Sequence, residues 1–167
     1  LAALGIRFVS PVGASRDDAS ASSGDEATAA AYHAHRIALG VPEGGKDYAF
    51  GDTFPHEALF DKLNGVSFTK GCYVGQEVVS RMEHRGTARK RVVPVVADGP
   101  LPATGTEIRA GDQLIGTLGS TDGARGLALL RLDRAAEMKA AGHGLTAGGV
   151  PVTIAMPEWL TLDATAQ

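Results

Sequence analysis

The chain has 167 residues, of which 44% are hydrophobic and 21% charged, and 16 Lys and Arg stand against 19 Asp and Glu for a net charge of −3. That length fits one compact domain or two small ones. The negative balance argues against a generally nucleic-acid-binding chain, and no apolar run reaches the ~20 residues that a membrane-spanning helix needs. The single cysteine, Cys72, cannot form an internal disulfide, so the fold needs no oxidising compartment.

The chain opens on Leu1 rather than Met, and Leu1-Ala2-Ala3-Leu4-Gly5 reads as a helix end capped by Gly5. This predicts the C-terminal part of a longer protein whose N-terminal segment is missing. Residues 1–10 lack a basic region and a cleavage site and are not read as a signal peptide. Residues 6–9 form a plausible strand, and the Ser-, Ala-, Gly- and Asp-rich stretch 11–25 reads as a loop. Its Asp17, Asp18 and Asp25 lack the spacing of a calcium loop. The Ala-rich run 26–39 is a helix, started by Asp25 and stopped by Gly40 and Pro42. A turn-rich loop covers 40–51, and 54–60 is a short helix or an extended segment. Residues 65–68 look like a strand and 78–84 like a helix that runs on to about Arg85.

After Gly86 the pattern changes. Five short β-like runs, at 91–97, 107–109, 113–118, 126–132 and 150–156, are separated by turns such as Asp98-Gly99 and Asp122-Gly123. They predict a small antiparallel barrel or sandwich, with a helical turn or two at 134–141. The boundary between the two parts falls near Arg89–Arg91, giving 1–89 and 90–167.

Cys72 sits in Lys70-Gly71-Cys72-Tyr73-Val74-Gly75-Gln76-Glu77. A thiol at a strand-to-helix corner lies close to a helix N-terminus, where the dipole and the unsatisfied N–H groups favour thiolate. The Lys70 ammonium pushes the same way. The alternative is a small buried hydrophobe, the usual state of a lone cysteine. Gly71 and Gly75 flank the thiol and point to a tight corner or close approach of a ligand. Downstream, Arg81, His84, Arg85, Arg89, Lys90 and Arg91 form a basic cluster. It reads either as an anion site, for phosphate, a polyglutamate tail or RNA, or as a solvated face.

No metal site is expected: the five histidines form no ligand pattern, and His33 and His35, two apart on a helix, face different sides. His56 and His84 are candidate bases for Cys72, although no cysteine-protease signature surrounds it. Neither Gly44-Gly45 nor Gly148-Gly149 belongs to a phosphate loop. Tyr73 and Trp159 read as packing residues.

The octapeptide, with Arg85-Gly86 and Lys90-Arg91 downstream, resembles the signature of the YgfZ family of folate-binding proteins. These are relatives of the glycine-cleavage T-protein, an aminomethyltransferase. Upstream, Arg36-Ile37, Gly40, Pro42, Asp47 and Phe54-Pro55-His56-Glu57 fit the spaced pattern that the two families share. The resemblance covers residues 30–95 by motif and the β-rich tail by architecture.

The resemblance implies an α+β fold: the second half of a ferredoxin-like folate-binding region over 1–89, then a small antiparallel β-barrel over 90–167. It implies an accessory protein that binds tetrahydrofolate, or a one-carbon derivative, and serves the assembly or maintenance of iron–sulfur proteins. Cys72 would be its functional thiol, redox-active or cluster-handling. Lys70, Gly71, Tyr73, Gly75, Gln76, Glu77 and Arg36 would lie at the cofactor site. Partners would be folate and iron–sulfur client or assembly proteins. The alternative is a folate-dependent aminomethyltransferase of T-protein type. Two departures favour the accessory role. Ala38 stands where the T-protein pattern has a Glu that contacts the pterin, and the T-protein carries no cysteine at the Cys72 corner. The Ala and Gly richness points to a bacterial source and hence to the cytoplasm.

Overall fold

The computed structural model of the chain describes residues 2–5, 28–85 and 88–162; the expected strand at 6–9 and loop at 11–25 lie outside the described residues. Ala2–Leu4 forms a short 3-10 turn, ended by Gly5 at φ 83°.

Helix α1 spans Ala29–Leu39. Its N-cap is Thr28, three residues later than the expected Asp25, and the Thr28 hydroxyl accepts from the Ala31 N–H at 3.1 Å. That bond satisfies one of the donors a helix start leaves open. Gly40 ends α1 in the left-handed conformation. One face of α1 is buried: Ile37 packs with Val92 and Leu127, flanked by Tyr48 and Leu129.

The segment from Pro42 to Gly75 is built of turns, with no β-strand among its described residues. Residues 54–60 are a chain of turns rather than a helix, closed by bonds such as Ala58 N–H to Phe54 O and Phe60 N–H to Pro55 O. The fully buried Leu59 sits at φ 64°. The strand expected at 65–68 is absent. Asn64 turns at φ 58°, and the N–H groups of Gly65 and Val66 both donate back to Phe60 O. The chain thus folds onto itself where a strand would need a neighbour. Helix α2 follows, Gln76–Arg85.

The C-terminal part is a closed antiparallel barrel, as expected, but of six strands rather than five. They are β1 Lys90–Val96, β2 Glu107–Ala110, β3 Gln113–Asp122, β4 Arg125–Arg131, β5 Leu145–Ala147 and β6 Val150–Ile154, in the order β1-β4-β3-β2-β5-β6. The strand missing from the sequence reading is β5, only three residues long. It pairs with β6 across Gly148-Gly149, with Ala147 opposite Val150. Both glycines have positive φ, 54° and 87°, the geometry of a two-residue hairpin turn that matches strand twist.

Val93, Val95, Ile108, Ile115, Leu118, Leu130 and Val152 fill the barrel interior. Each such side chain, fully buried, stabilises by roughly 1.5–3 kcal/mol. Helix α3, Leu132–Ala140, adds Ala135, with Leu132 and Met138 alongside. In β1 four consecutive residues are buried. Alternate residues of a strand face opposite sides, and here Val93 and Val95 point into the barrel while Val92 packs with Ile37 of α1 outside.

Buried polar braces tie the N-terminal part to the barrel. Arg36 donates to Asp47 Oδ2 at 2.7 Å and to the Ser120 hydroxyl at 2.7 Å. Asp47 also accepts the N–H groups of Glu43 and Ser120, at 2.8 and 2.7 Å. In a second brace the Arg91 guanidinium donates to both Asp61 oxygens and to His56 O, each at 2.9 Å. Val92 N–H donates to Glu57 O at 2.8 Å. These contacts set the platform from which α2 projects.

Candidate functional site

The octapeptide runs along an irregular stretch and enters α2 at Gln76. Gly75 makes the entry at φ 85°, a conformation that costs an L-residue about 1–2 kcal/mol, and a side chain there would meet open space. Cys72 therefore lies four residues ahead of the helix, not in its first turn, and it is exposed. The expected strand on its other side is absent, as noted. The packing alternative, a buried thiol, is not what the fold provides. Lys70 places its ammonium 4.8 Å above the Tyr73 ring, within cation–π range, so the cation is turned onto the aromatic neighbour of the thiol. Gly71 is exposed. Glu77 pairs with Arg81 one turn on.

Two clefts flank α2. On one side Gln76, Ser80, Glu83 and His84 join Ser67, Phe68 and Tyr73 around a cavity of about 520 Å³. On the other side Val78, Arg81 and Met82 join Phe54, Glu57, Arg89, Lys90 and Arg131 around about 290 Å³. Positions three and four apart on a helix share a face, so α2 is a partition with one cleft on each side. Of the expected site residues, Tyr73 and Gln76 line the larger cleft, and Cys72, Gly71 and Lys70 lie on the strand of chain that leads to it. Arg36 lines neither. Its guanidinium is buried and engaged by Asp47, Ser120, Val41 O, His33 and Glu43.

Behind the larger cleft lies a pair that sequence reasoning missed. His56, 1% exposed, bonds through Nε2 to Glu83 Oε2 at 3.1 Å, and its ring lies 6.0 Å from that of Phe68. Its Nδ1 is buried without a hydrogen-bond partner. The other candidate base, His84, lines the same cleft. His56, Asp61 and Glu83 each bring one ligand-type atom within 4.8 Å of the others, but Asp61 is held by Arg91 and Glu83 by His56. Together with Arg91 they form a polar network that links α2 to the second brace. The only hint in the sequence was His56 itself, a member of the shared upstream pattern; its partner is 27 residues away.

His33 and His35 do face different sides, His33 toward Arg36 and Glu43 and His35 toward Ala3 O. Trp159 packs as expected, near Gly40, donating to Leu39 O at 2.8 Å.

Comparison with known proteins adds to this geometry. Residues 89–162 match the family described as "CAF17, C-terminal beta-barrel domain". The chain is 41% identical over 136 residues to the iron-sulfur cluster assembly factor IBA57, mitochondrial, of Mus musculus, which covers 77% of this chain and 37% of that protein. The Homo sapiens protein of the same name is 41% identical over 135 residues, with the same coverage. The Dictyostelium discoideum IBA57 homolog is 51% identical over 65 residues, 39% of this chain and 16% of its own length. The chain thus spans 37% of the mouse and human relatives it matches. The similarity to iron–sulfur cluster assembly factors fits the coarse resemblance to YgfZ and T-protein relatives. It also corrects one expectation. The relatives are mitochondrial by name and point to the mitochondrion, so the cytoplasmic placement drawn from Ala and Gly richness does not hold. Among the described residues no helix is long and apolar enough to cross a membrane.

Proposed function

We propose that this chain is the thiol-bearing part of an accessory protein of mitochondrial iron–sulfur cluster assembly. In this reading Cys72 is its functional thiol, and the cleft beside it takes tetrahydrofolate or a one-carbon derivative. The observation that carries the proposal is the exposure of Cys72 within its octapeptide, next to a cleft of about 520 Å³ into which the octapeptide itself projects Tyr73 and Gln76. The relatives' names, which describe assembly factors, favour this over aminomethyl transfer.

A single thiolate does not hold an iron–sulfur cluster, which takes several ligands. The cluster, as cargo, would be shared between Cys72 and thiolates of a client or assembly protein, and an exposed cysteine can be reached by such a partner. The cleft's donor set fits a pterin. Its volume falls within the ~300–1,000 Å³ of ligand pockets. Phe68, 46% exposed, offers a ring for stacking, and the Glu83 carboxylate, 45% exposed, has Oε1 as an acceptor for a pterin N–H while Oε2 keeps its bond to His56. Tetrahydrofolate, when bound, supplies reducing capacity or a one-carbon unit. Arg36 acts in this reading as a brace and not as a ligand.

The test is replacement of the native protein in cells by the full-length protein carrying Cys72→Ser. The expected result is loss of iron–sulfur enzyme activity at unchanged protein abundance; full activity would sink the role of Cys72. For the folate part, alkylation of Cys72 should slow when tetrahydrofolate is added. An alkylation rate indifferent to folate would remove folate from the site.

A further inference from the structure

The smaller cleft, on the opposite face of α2 from the proposed folate site, has a composition of its own. Phe54, Val78 and Met82 form an apolar floor; Phe54 is 51% and Val78 43% exposed. Four cations, Arg81, Arg89, Lys90 and Arg131, stand around it. Among the described residues only one carboxylate lines it, Glu57, and that carboxylate accepts the Phe54 N–H at 3.0 Å and faces Lys90 at 3.7 Å. Glu77 and Asp133, which hold Arg81 and Arg131, are not among the lining residues. Among the described residues Arg89 makes no direct ion pair, although its charge acts on the nearby Asp133 carboxylate. On a chain of net charge −3, cations are here gathered around exposed apolar surface.

The volume decides what such a cleft can take. About 290 Å³ lies at the lower edge of the ~300–1,000 Å³ of small-molecule sites. That is room for one large apolar side chain, not for a cofactor. Arginine around a desolvated apolar centre is the composition of a protein-binding hot spot.

We propose that this cleft is a docking site for an acidic segment of a partner protein. One Leu, Ile, Phe or Met would seat on Phe54, Val78 and Met82, with Asp or Glu on either side meeting Arg81, Arg89, Lys90 and Arg131. The site shares no lining residue with the larger cleft, which lies on the other face of α2. A polyglutamate tail has the charge but lacks the apolar anchor, so it meets only half of the cleft.

The test is an array of six-residue peptides, each with one Leu, Ile, Phe or Met flanked by Asp and Glu, screened against the full chain. The strongest binder is then measured by fluorescence anisotropy. The expected binding weakens as salt rises, since exposed charges are screened. It should fall about tenfold or more with Arg89→Glu, which loses a cation and adds a like charge, and by a similar factor with Val78→Asp. Cys72→Ser should bind unchanged. Both cleft substitutions are at exposed side chains, and an unchanged urea midpoint shows that the variants are folded. If Arg89→Glu shifts that midpoint, Val78→Asp decides. The proposal is overturned if no anchored peptide binds better than the same sequence with Gly at the anchor. Binding of poly-γ-glutamate as tight as that of the best peptide, or undiminished binding to the folded variants, overturns it too.

Discussion

Substituting Asp47 with Ala should strike the joint between α1 and the barrel. The Asp47 side chain is fully buried and the Arg36 side chain 2% exposed, so the pair sits away from water. Asp47 accepts three hydrogen bonds, from Arg36, from Glu43 N–H and from Ser120 N–H. Its removal orphans two backbone donors, which cost about 1–3 kcal/mol each when buried and unsatisfied. It also leaves a buried guanidinium short of its closest counter-charge, and breaking a buried pair costs about 3–5 kcal/mol. The two penalties overlap, and Arg36 keeps Glu43 at 3.0 Å and Val41 O at 3.2 Å. A loss just under the low end of that sum, about 4 kcal/mol rather than about 5, is therefore expected. For a chain of this size each kcal/mol shifts the melting temperature by about 2–4 °C, so the drop is about 8–16 °C. Urea unfolding monitored by circular dichroism gives the free energy. Glu43→Ala is the control: its side chain is 37% exposed, and loss of a partly solvated partner costs about 1 kcal/mol or less. If Asp47→Ala lost less than about 1 kcal/mol, or no more than Glu43→Ala, the brace would not be what holds α1 to the barrel.

Other outcomes can be checked with the same protein. Cys72→Ser should change stability by no more than about 0.5 kcal/mol because the residue is exposed, and native protein should take up one maleimide without denaturant; a thiol protected until unfolding would contradict the exposed corner. Gly75→Ala should cost about 1–2 kcal/mol from its positive φ alone, read as a lowered urea midpoint. Glu83→Ala leaves both nitrogens of buried His56 without a partner; a loss of about 1–3 kcal/mol is expected, with faster amide exchange concentrated in α2, and uniform exchange across the chain would refute a role for this bond in holding α2. Asp133 is held below its ordinary carboxyl value of 3.8, first by the hydrogen bond from Arg131, against the opposing effect of burial. Its stabilisation is therefore present above about pH 4 and lost as pH falls through the folded value, so Asp133→Asn should separate from wild type in urea at pH 7 and converge on it in strong acid.

The barrel was largely legible because its signals are local. Alternation in the β runs and turn pairs such as Asp122-Gly123 are set within a few residues, and the strands fall within a few residues of the expected bounds. The one omission, β5, is three residues long, too short to show a period, and Gly148-Gly149 was weighed only as a phosphate loop, although two adjacent glycines also make a hairpin turn. The segment before the barrel was less legible because its structure is tertiary. The apolar run at 65–68 has strand composition, yet the positive φ of Asn64 and the bonds back to Phe60 O curl it. Within the octapeptide the residue types were plain, but the four-residue offset of Cys72 from α2 depends on the turn at Gly75. His56 and Glu83 meet across 27 residues, and no spacing rule reaches that far.

The residues behind the resemblance divide by what they touch. Arg36, Asp47, His56 and Glu57, with Arg91, are consumed inside the fold: they make the buried bonds that fasten α1 and the 42–75 segment to the barrel. Cys72, Tyr73 and Gln76 instead face solvent or the larger cleft. The bond from His56 to Glu83 joins the second brace to the middle of α2, which carries Gln76. Val79, 5% exposed, is the one buried apolar residue of α2, so little apolar burial holds the helix and the His56–Glu83 bond adds a polar tie to it. A partner seated on the Val78 face would therefore press on the element that shapes the Gln76 face.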